Sequence, residues 1–169
     1  MKHEQVCRLL DAHGVRYAVI GAIAVAARGA PRSTIDFDLF TTDRRVLDPA
    51  LWREVPDVDI RRGDADDPLA GVIRIGRGVE QIDLVVGKSK WQEAVIERSD
   101  FVEIEGIGMR LPRTSDLILL KLAAGGPLDQ QDVIRLLEAA ERSELIAEVN
   151  QRIVDLDDDA RALWARITS

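Results

Sequence analysis

At 169 residues the chain suits one domain, or a domain with a small appendage, and is long enough to bury a useful core. Apolar residues make up 46% and charged residues 31%, a globular composition that excludes global disorder. Lys and Arg total 23 against 30 Asp and Glu, and the net charge of -7 argues against a surface built mainly to grip a nucleic-acid duplex.

From Glu4 to His13 apolar residues recur at three- and four-residue spacing, and Gly14 stands where a helix would end in a left-handed residue. Cys7 falls in this amphipathic pattern and reads as a packing thiol; a single cysteine makes neither an internal disulfide nor a Cys-rich zinc site. His3 and His13 have no acid cluster near them in sequence, which excludes a spacing-defined zinc site there. Val15 to Ile20 is a short strand, Gly21 a turn, and Ala22 to Ala27 an alanine-rich, close-packing helix.

Gly29 to Ser33 breaks that helix, and Ile35 to Phe40 then alternates apolar and acidic residues at the strand period. Asp48 and Pro49 read as an N-cap and first helical residue of a short helix through Trp52, and Val58 to Arg62 as a strand. Gly71 to Ile75 and Val79 to Val86 form a hairpin turning near Gly76 and Gly78. Ser89 caps a helix through Arg98, and Phe101 to Glu105 with Met109 to Leu111 make a second hairpin about Gly106.

Beyond Pro112 the pattern turns helical. Thr114, Ser115 and Asp116 open an apolar helix, periodicity runs from Asp129 through Val133, Leu136, Leu137 and Ile146, and Asp157 to Asp159 start a last helix. The expected organisation is an α+β core over residues 1–112, a mixed sheet flanked by helices, with a C-terminal helical bundle over 113–169 packed on it. No stretch of about 18 uncharged apolar residues occurs and Met1 to Gln5 carries no signal-type run, so no membrane partner and a cytoplasmic location are expected.

Asp36 and Asp38 sit two apart on the predicted strand, which puts both carboxylates on one face roughly 6 to 7 Å apart, with Ile35, Phe37 and Leu39 on the core side. Like charges that close are tolerable when solvated, when one is protonated, or when a divalent cation lies between them, and magnesium suits such oxygen donors. Asp-x-Asp alone also fits the solvated face of an edge strand. Asp83 interrupts the apolar run Ile82 to Val86; beside the first strand it would complete a three-carboxylate cluster, and at a sheet rim it would be solvated. No nucleophile elbow, Walker-type loop or dinucleotide glycine fingerprint is present.

Taken together, Ile20-Gly21-Ala22, Gly29 with Arg32 and Thr34, Asp36-Phe37-Asp38-Leu39, Ile82-Asp83-Leu84, Asp116-Leu117, Leu120 to Ala124, and Asp129 with Asp132 resemble minimal nucleotidyltransferases of the DNA polymerase β superfamily, in the AbiEii-type toxin and antitoxin branch. The resemblance covers roughly Val15 to Leu137 and implies a nucleotidyltransferase fold using Mg2+ and a nucleoside triphosphate. It implies that Asp36, Asp38 and Asp83 hold metal, that Asp83 also helps deprotonate the attacking hydroxyl, and that Lys121 contacts phosphate. Gly21, Ala22, Arg32 and Thr34 would line the nucleotide, with Asp129 and Asp132 as further candidates and Arg28, Arg74 and Arg77 as nearby positive charge. The acceptor would be a hydroxyl of a protein, RNA or small molecule, and the partner a cognate toxin or antitoxin. Two departures stand out: relatives carry Gly-Ser or Gly-Gly where this chain has Gly21-Ala22, and an arginine where it has Gly125-Gly126-Pro127. A nucleotide- or partner-binding module of the same fold without turnover, and an interaction module with solvated acids, are the alternatives.

Overall fold

The protein is described by a computed structural model covering residues 3–31, 36–104 and 106–169. These divide into two compact units, Met1–Ile23 with Ser33–Pro112, and Ala24–Arg32 with Arg113–Ser169.

The first unit is built on a seven-stranded mixed sheet. Its elements are α1 (His3–Ala12), β1 (Tyr17–Ile20), β2 (Phe37–Thr41), β3 (Val58–Arg62), β4 (Leu69–Ile75), β5 (Ile82–Gly87), α3 (Lys90–Arg98), β6 (Asp100–Ile104) and β7 (Ile107–Leu111); α2 (Gly21–Ala27) starts directly at the end of β1, and its residues from Ala24 on belong to the second unit. The strand order is β3-β4-β5-β2-β1-β7-β6. β2 runs parallel to β5 and β1 parallel to β7, while the other neighbours are antiparallel.

Local chemistry explains the elements. Gly14 closes α1 at φ 64°, the left-handed value only glycine adopts cheaply. Asp48 caps the short helix at Pro49–Trp52, its carboxylate accepting from Ala50 N at 2.9 Å; the turn is 3-10, not α. Ser89 precedes α3, and the Gln92 side chain folds back to accept from Ser89 N at 2.9 Å and Lys88 N at 2.8 Å. One expectation needs correcting: Val79 belongs to a 3-10 turn at Gly78–Glu80 and is 68% exposed, because Gly76 and Gly78 both take positive φ and delay β5 to Ile82. Ile35 and Glu105, assigned to strands from the sequence, lie outside the described residues.

Alternation in β2 buries Phe37 and Leu39 on one face. His3, which the sequence assigned to no role, stacks on Phe37 with ring centroids 4.1 Å apart and planes 9° apart. Val6, Cys7 and Leu10 form the buried stripe of α1.

The second unit is helical: α4 (Thr114–Ala124), α5 (Pro127–Glu138), α6 (Arg142–Asn150) and α7 (Asp158–Thr168). Gly125, at φ 68°, ends α4, and Pro127 opens α5 two residues before the Asp129 start expected from periodicity. That periodicity is also broken between α5 and α6, where Glu141 precedes the new helix. Asp157 caps α7, accepting from Ala160 N at 2.8 Å. Leu117, Ile118, Leu136 and Val149 are fully buried. No helix among the described residues is long and apolar enough to cross a membrane.

Cys7 is 1% exposed, and burial pushes its thiol pKa up. Iodoacetamide at pH 8 is expected to leave the native protein unmodified and to label Cys7 only as urea unfolds α1. Mass spectrometry across a urea series reads this directly, and labelling well below the unfolding midpoint would contradict the packing.

Candidate active site

Sheet register assembles the site in the first unit. Across the parallel β2–β5 pair Asp38 lies opposite Asp83. Across β1–β2 Asp38 lies opposite Ile20, so the turn at Gly21 sits against it. A Cβ on Gly21 would fall 2.1 Å from Asp38 Oδ2, and Gly21 holds φ at 67°. Glycine is therefore required twice, for the backbone angle and for the carboxylate's place beside the turn.

Asp38 is half-buried, and Asp36, one residue ahead of β2, is exposed. Asp83 is 23% exposed and both its oxygens are engaged. Arg74 on β4, directly opposite Asp83, donates Nε to Oδ1 at 3.0 Å and Nη2 to Oδ2 at 3.1 Å. Gln81 Nε2 adds a bond to Oδ1 at 3.2 Å. The Asp83 carboxylate in turn pushes the Arg74 pKa up through these hydrogen bonds. One strand further out, Asp59 on β3 registers opposite Arg74. A row of charged side chains, Asp38, Asp83, Arg74 and Asp59, thus crosses four adjacent strands.

Carboxylate oxygens are the donors that Mg2+ takes, and two facing each other across a strand pair fit such an ion. Among the described residues no group of three or more His, Cys, Asp or Glu side chains is placed to hold a metal. Of the residues expected to line a nucleotide, Gly21 and Ala22 lie at the β1–α2 turn, with Ala22 buried. Arg32 and Thr34 lie outside the described residues. Arg77 pairs with Asp57 at 2.8 Å, and Arg28 follows α2.

In the second unit Lys121 on α4, 12% exposed, places its ammonium 2.8 Å from Asp129 Oδ1 and 3.0 Å from Asp132 Oδ2 on α5. Asp132 is fully buried and also has Arg135 Nη1 at 3.7 Å. Asp116, also fully buried, has Arg152 Nη1 at 3.9 Å. Lys121, Asp129 and Asp132, marked separately in the sequence, are thus one part-buried ionic cluster tying α4 to α5.

The family described as nucleotidyl transferase of unknown function (DUF2204) matches residues 1–168. The chain belongs to this family. No curated protein matches it. The nucleotidyl transferase fold is seen in its similarity to the antibiotic-resistance factor ANT(2'')-Ia in solution, at TM-score 0.59 and 13% identity over 89% of this chain and 89% of that one. An antigenic nucleotidyltransferase-like protein from Paracoccidioides brasiliensis aligns over 94% of this chain and 90% of its own, at TM-score 0.49 and 19% identity. In this member of the family two residues at Asp83 are not marked by the sequence. Arg74 reads from the sequence only as positive charge near phosphate, and Gln81 only as a residue of the expected Val79–Val86 strand; in the structure Gln81 precedes β5 and reaches Asp83 from there.

Two outcomes test this geometry. Gly14 has φ 64° but nothing within 4 Å of an added Cβ, so Gly14→Ala measures the backbone strain alone, about 1 kcal/mol. Gly21→Ala adds the collision with Asp38 and is expected to cost clearly more in urea denaturation; equal losses would refute the close approach. In the second unit, Lys121→Ala is expected to cost about 3 kcal/mol by stranding buried Asp132, with part recovered by adding Asp132→Asn, as a double-mutant cycle would report.

Proposed function

We propose that this chain is a magnesium-dependent nucleotidyltransferase that moves a nucleoside monophosphate from a nucleoside triphosphate to a hydroxyl of a protein, RNA or small-molecule acceptor. The observation that carries the reading is the in-register pair of Asp38 and Asp83 on parallel strands, with Asp36 one residue ahead of β2 and Gly21 closing against Asp38. Asp38 and Asp83 are the pair that would hold the metal, and Asp36, which the structure does not gather with them, would have to close in on the bound ion. When bound, Mg2+ supplies neutralisation of charge on the phosphates and on the attacking and leaving oxygens. The acceptor oxygen bonds to the α-phosphorus while the bond from that phosphorus to the bridging oxygen breaks, releasing pyrophosphate with the electron pair. Asp83 takes the hydroxyl proton. Gly21 and Ala22, with no hydroxyl between them, leave the turn only backbone groups to offer a phosphate.

Lys121, which the resemblance makes a phosphate contact, is assigned here to organising α4 against α5, because its ammonium already serves two carboxylates. The AbiEii-type likeness supports a role in a toxin–antitoxin pair in the cytoplasm, with the cognate protein as partner. One observation favours a second reading, a nucleotide-binding module without turnover: both oxygens of Asp83 are held by Arg74.

Incubation with Mg2+ and α-labelled nucleoside triphosphates, alone and with lysate, separates the two. The enzyme reading expects label on an acceptor, falling about 100-fold or more in Asp38→Asn and Asp83→Asn. It also expects Mg2+ with nucleotide to raise the Tm of wild type but not of Asp38→Asn. Stabilisation without any transfer would leave only the binding module.

A further inference from the structure

The chemistry that makes Asp83 useful to a cation is already in use. A carboxylate offers about four lone-pair positions, and the planar guanidinium of Arg74 takes one on each oxygen while Gln81 takes another on Oδ1. A bidentate arginine–carboxylate pair is among the strongest polar contacts a protein makes, and it fixes the plane of the carboxylate as well as its charge. An ion approaching Asp83 from the Asp38 side therefore meets a ligand whose lone pairs are largely committed.

Arg74 has somewhere else to go. Its side chain is 46% exposed, so the guanidinium is reached by solvent and is not enclosed by packing on all sides. It borders an open cavity of about 280 Å³ on the β3–β4 surface. Asp59 lies opposite it on β3, the mirror position to Asp83 on β5. Asp59 is presently bound by Arg61 Nε at 2.9 Å, which occupies one oxygen, Oδ2. Arg74 thus stands between two carboxylates on the strands either side of it, bonded to one and within the field of the other.

We propose that Arg74 is a positioning residue that competes with the metal ion for Asp83: it keeps the carboxylate oriented while the cation is absent and moves toward Asp59 and the β3–β4 cavity when the cation arrives. This rests on the metal-dependent reading above. No bond is made or broken covalently; one cation replaces another at the same oxygens, and the displaced guanidinium finds its countercharge one strand over.

Isothermal titration with Mn2+ and with Mg2+, each with and without nucleoside triphosphate, into wild type, Arg74→Ala, Arg74→Lys, Asp59→Asn and the variant combining Arg74→Ala with Asp59→Asn tests it, with circular dichroism confirming that each is folded. Removing the competitor is expected to tighten metal binding in Arg74→Ala by about 10-fold, a coupling of ordinary size. Arg74→Lys, which presents a point charge in place of the fork, should fall between. Asp59→Asn should weaken binding in wild type and have no effect on top of Arg74→Ala. A merely structural role would lower affinity in Arg74→Ala, not raise it. If wild type binds metal and Arg74→Ala binds it equally or more weakly, the competition is overturned while the metal-dependent reading stands. If neither binds metal, with or without nucleoside triphosphate, that reading falls and the competition with it.

Discussion

Placing Asp38 opposite Asp83 on neighbouring parallel strands sets two negative charges side by side on one sheet face, an arrangement that a sheet of ordinary composition avoids because like charges directly across a strand pair repel. On the Asp83 side the next residue in the row offsets that charge. Arg74 meets Asp83 with both arms of its guanidinium, and Asp59 follows on β3, so the charges alternate outward after the Asp38–Asp83 pair. The like-charge step falls between β2 and β5, the only parallel junction among these four strands, and on the metal-dependent reading proposed above that is where a divalent cation would bind. The register of four strands is thus one constraint with the function, since slipping any one of them by a residue would send its charge to the other face.

The glycine turn belongs to the same constraint. β1 runs antiparallel to β2, which brings its last residue opposite Asp38 and the first residue of α2 against the carboxylate. Any side chain there would move Asp38 and with it one side of the pair. The covering helix contributes from the other face, where His3 of α1 lies flat on Phe37, the first residue of β2, between Asp36 and Asp38. The strand is gripped on its apolar side while its acids stay accessible, which is how a site is kept in geometry without being buried.

Much of this was legible residue by residue. Period-two alternation puts Asp38 on the face away from Phe37 and Leu39, although the strand begins only at Phe37 and leaves Asp36 ahead of it; the glycines announce their turns, and β3 has the ends expected from the sequence. What sequence could not supply was adjacency. That β5 lies against β2 came from family resemblance, and no local pattern says that Arg74 and Asp83, nine residues apart across a two-glycine turn, share a rung. The delayed start of β5 shows the same limit: Val79 has strand propensity, but two positive-φ glycines override it. Lys121 was ambiguous for a related reason. An isolated cation in an apolar helix reads as a ligand contact or an exposed side chain, and the third solution, two carboxylates from the next helix, depends on how the Gly125-Gly126-Pro127 turn folds α5 back onto α4.

Burial gives these two ionic groups different physical meanings. Lys121 with Asp132 is a desolvated pair whose members cannot separate without leaving a charge uncompensated inside the protein, so it behaves as a fixed tie between helices. Arg74 with Asp83 has the geometry of a strong pair but the setting of a weak one: the guanidinium is half in solvent, water can replace its bonds, and a second carboxylate stands one strand away. A contact that is well aligned yet cheap to break is suited to being exchanged. The carboxylate best placed to meet Asp38 across the sheet is therefore also the one whose present partner can leave.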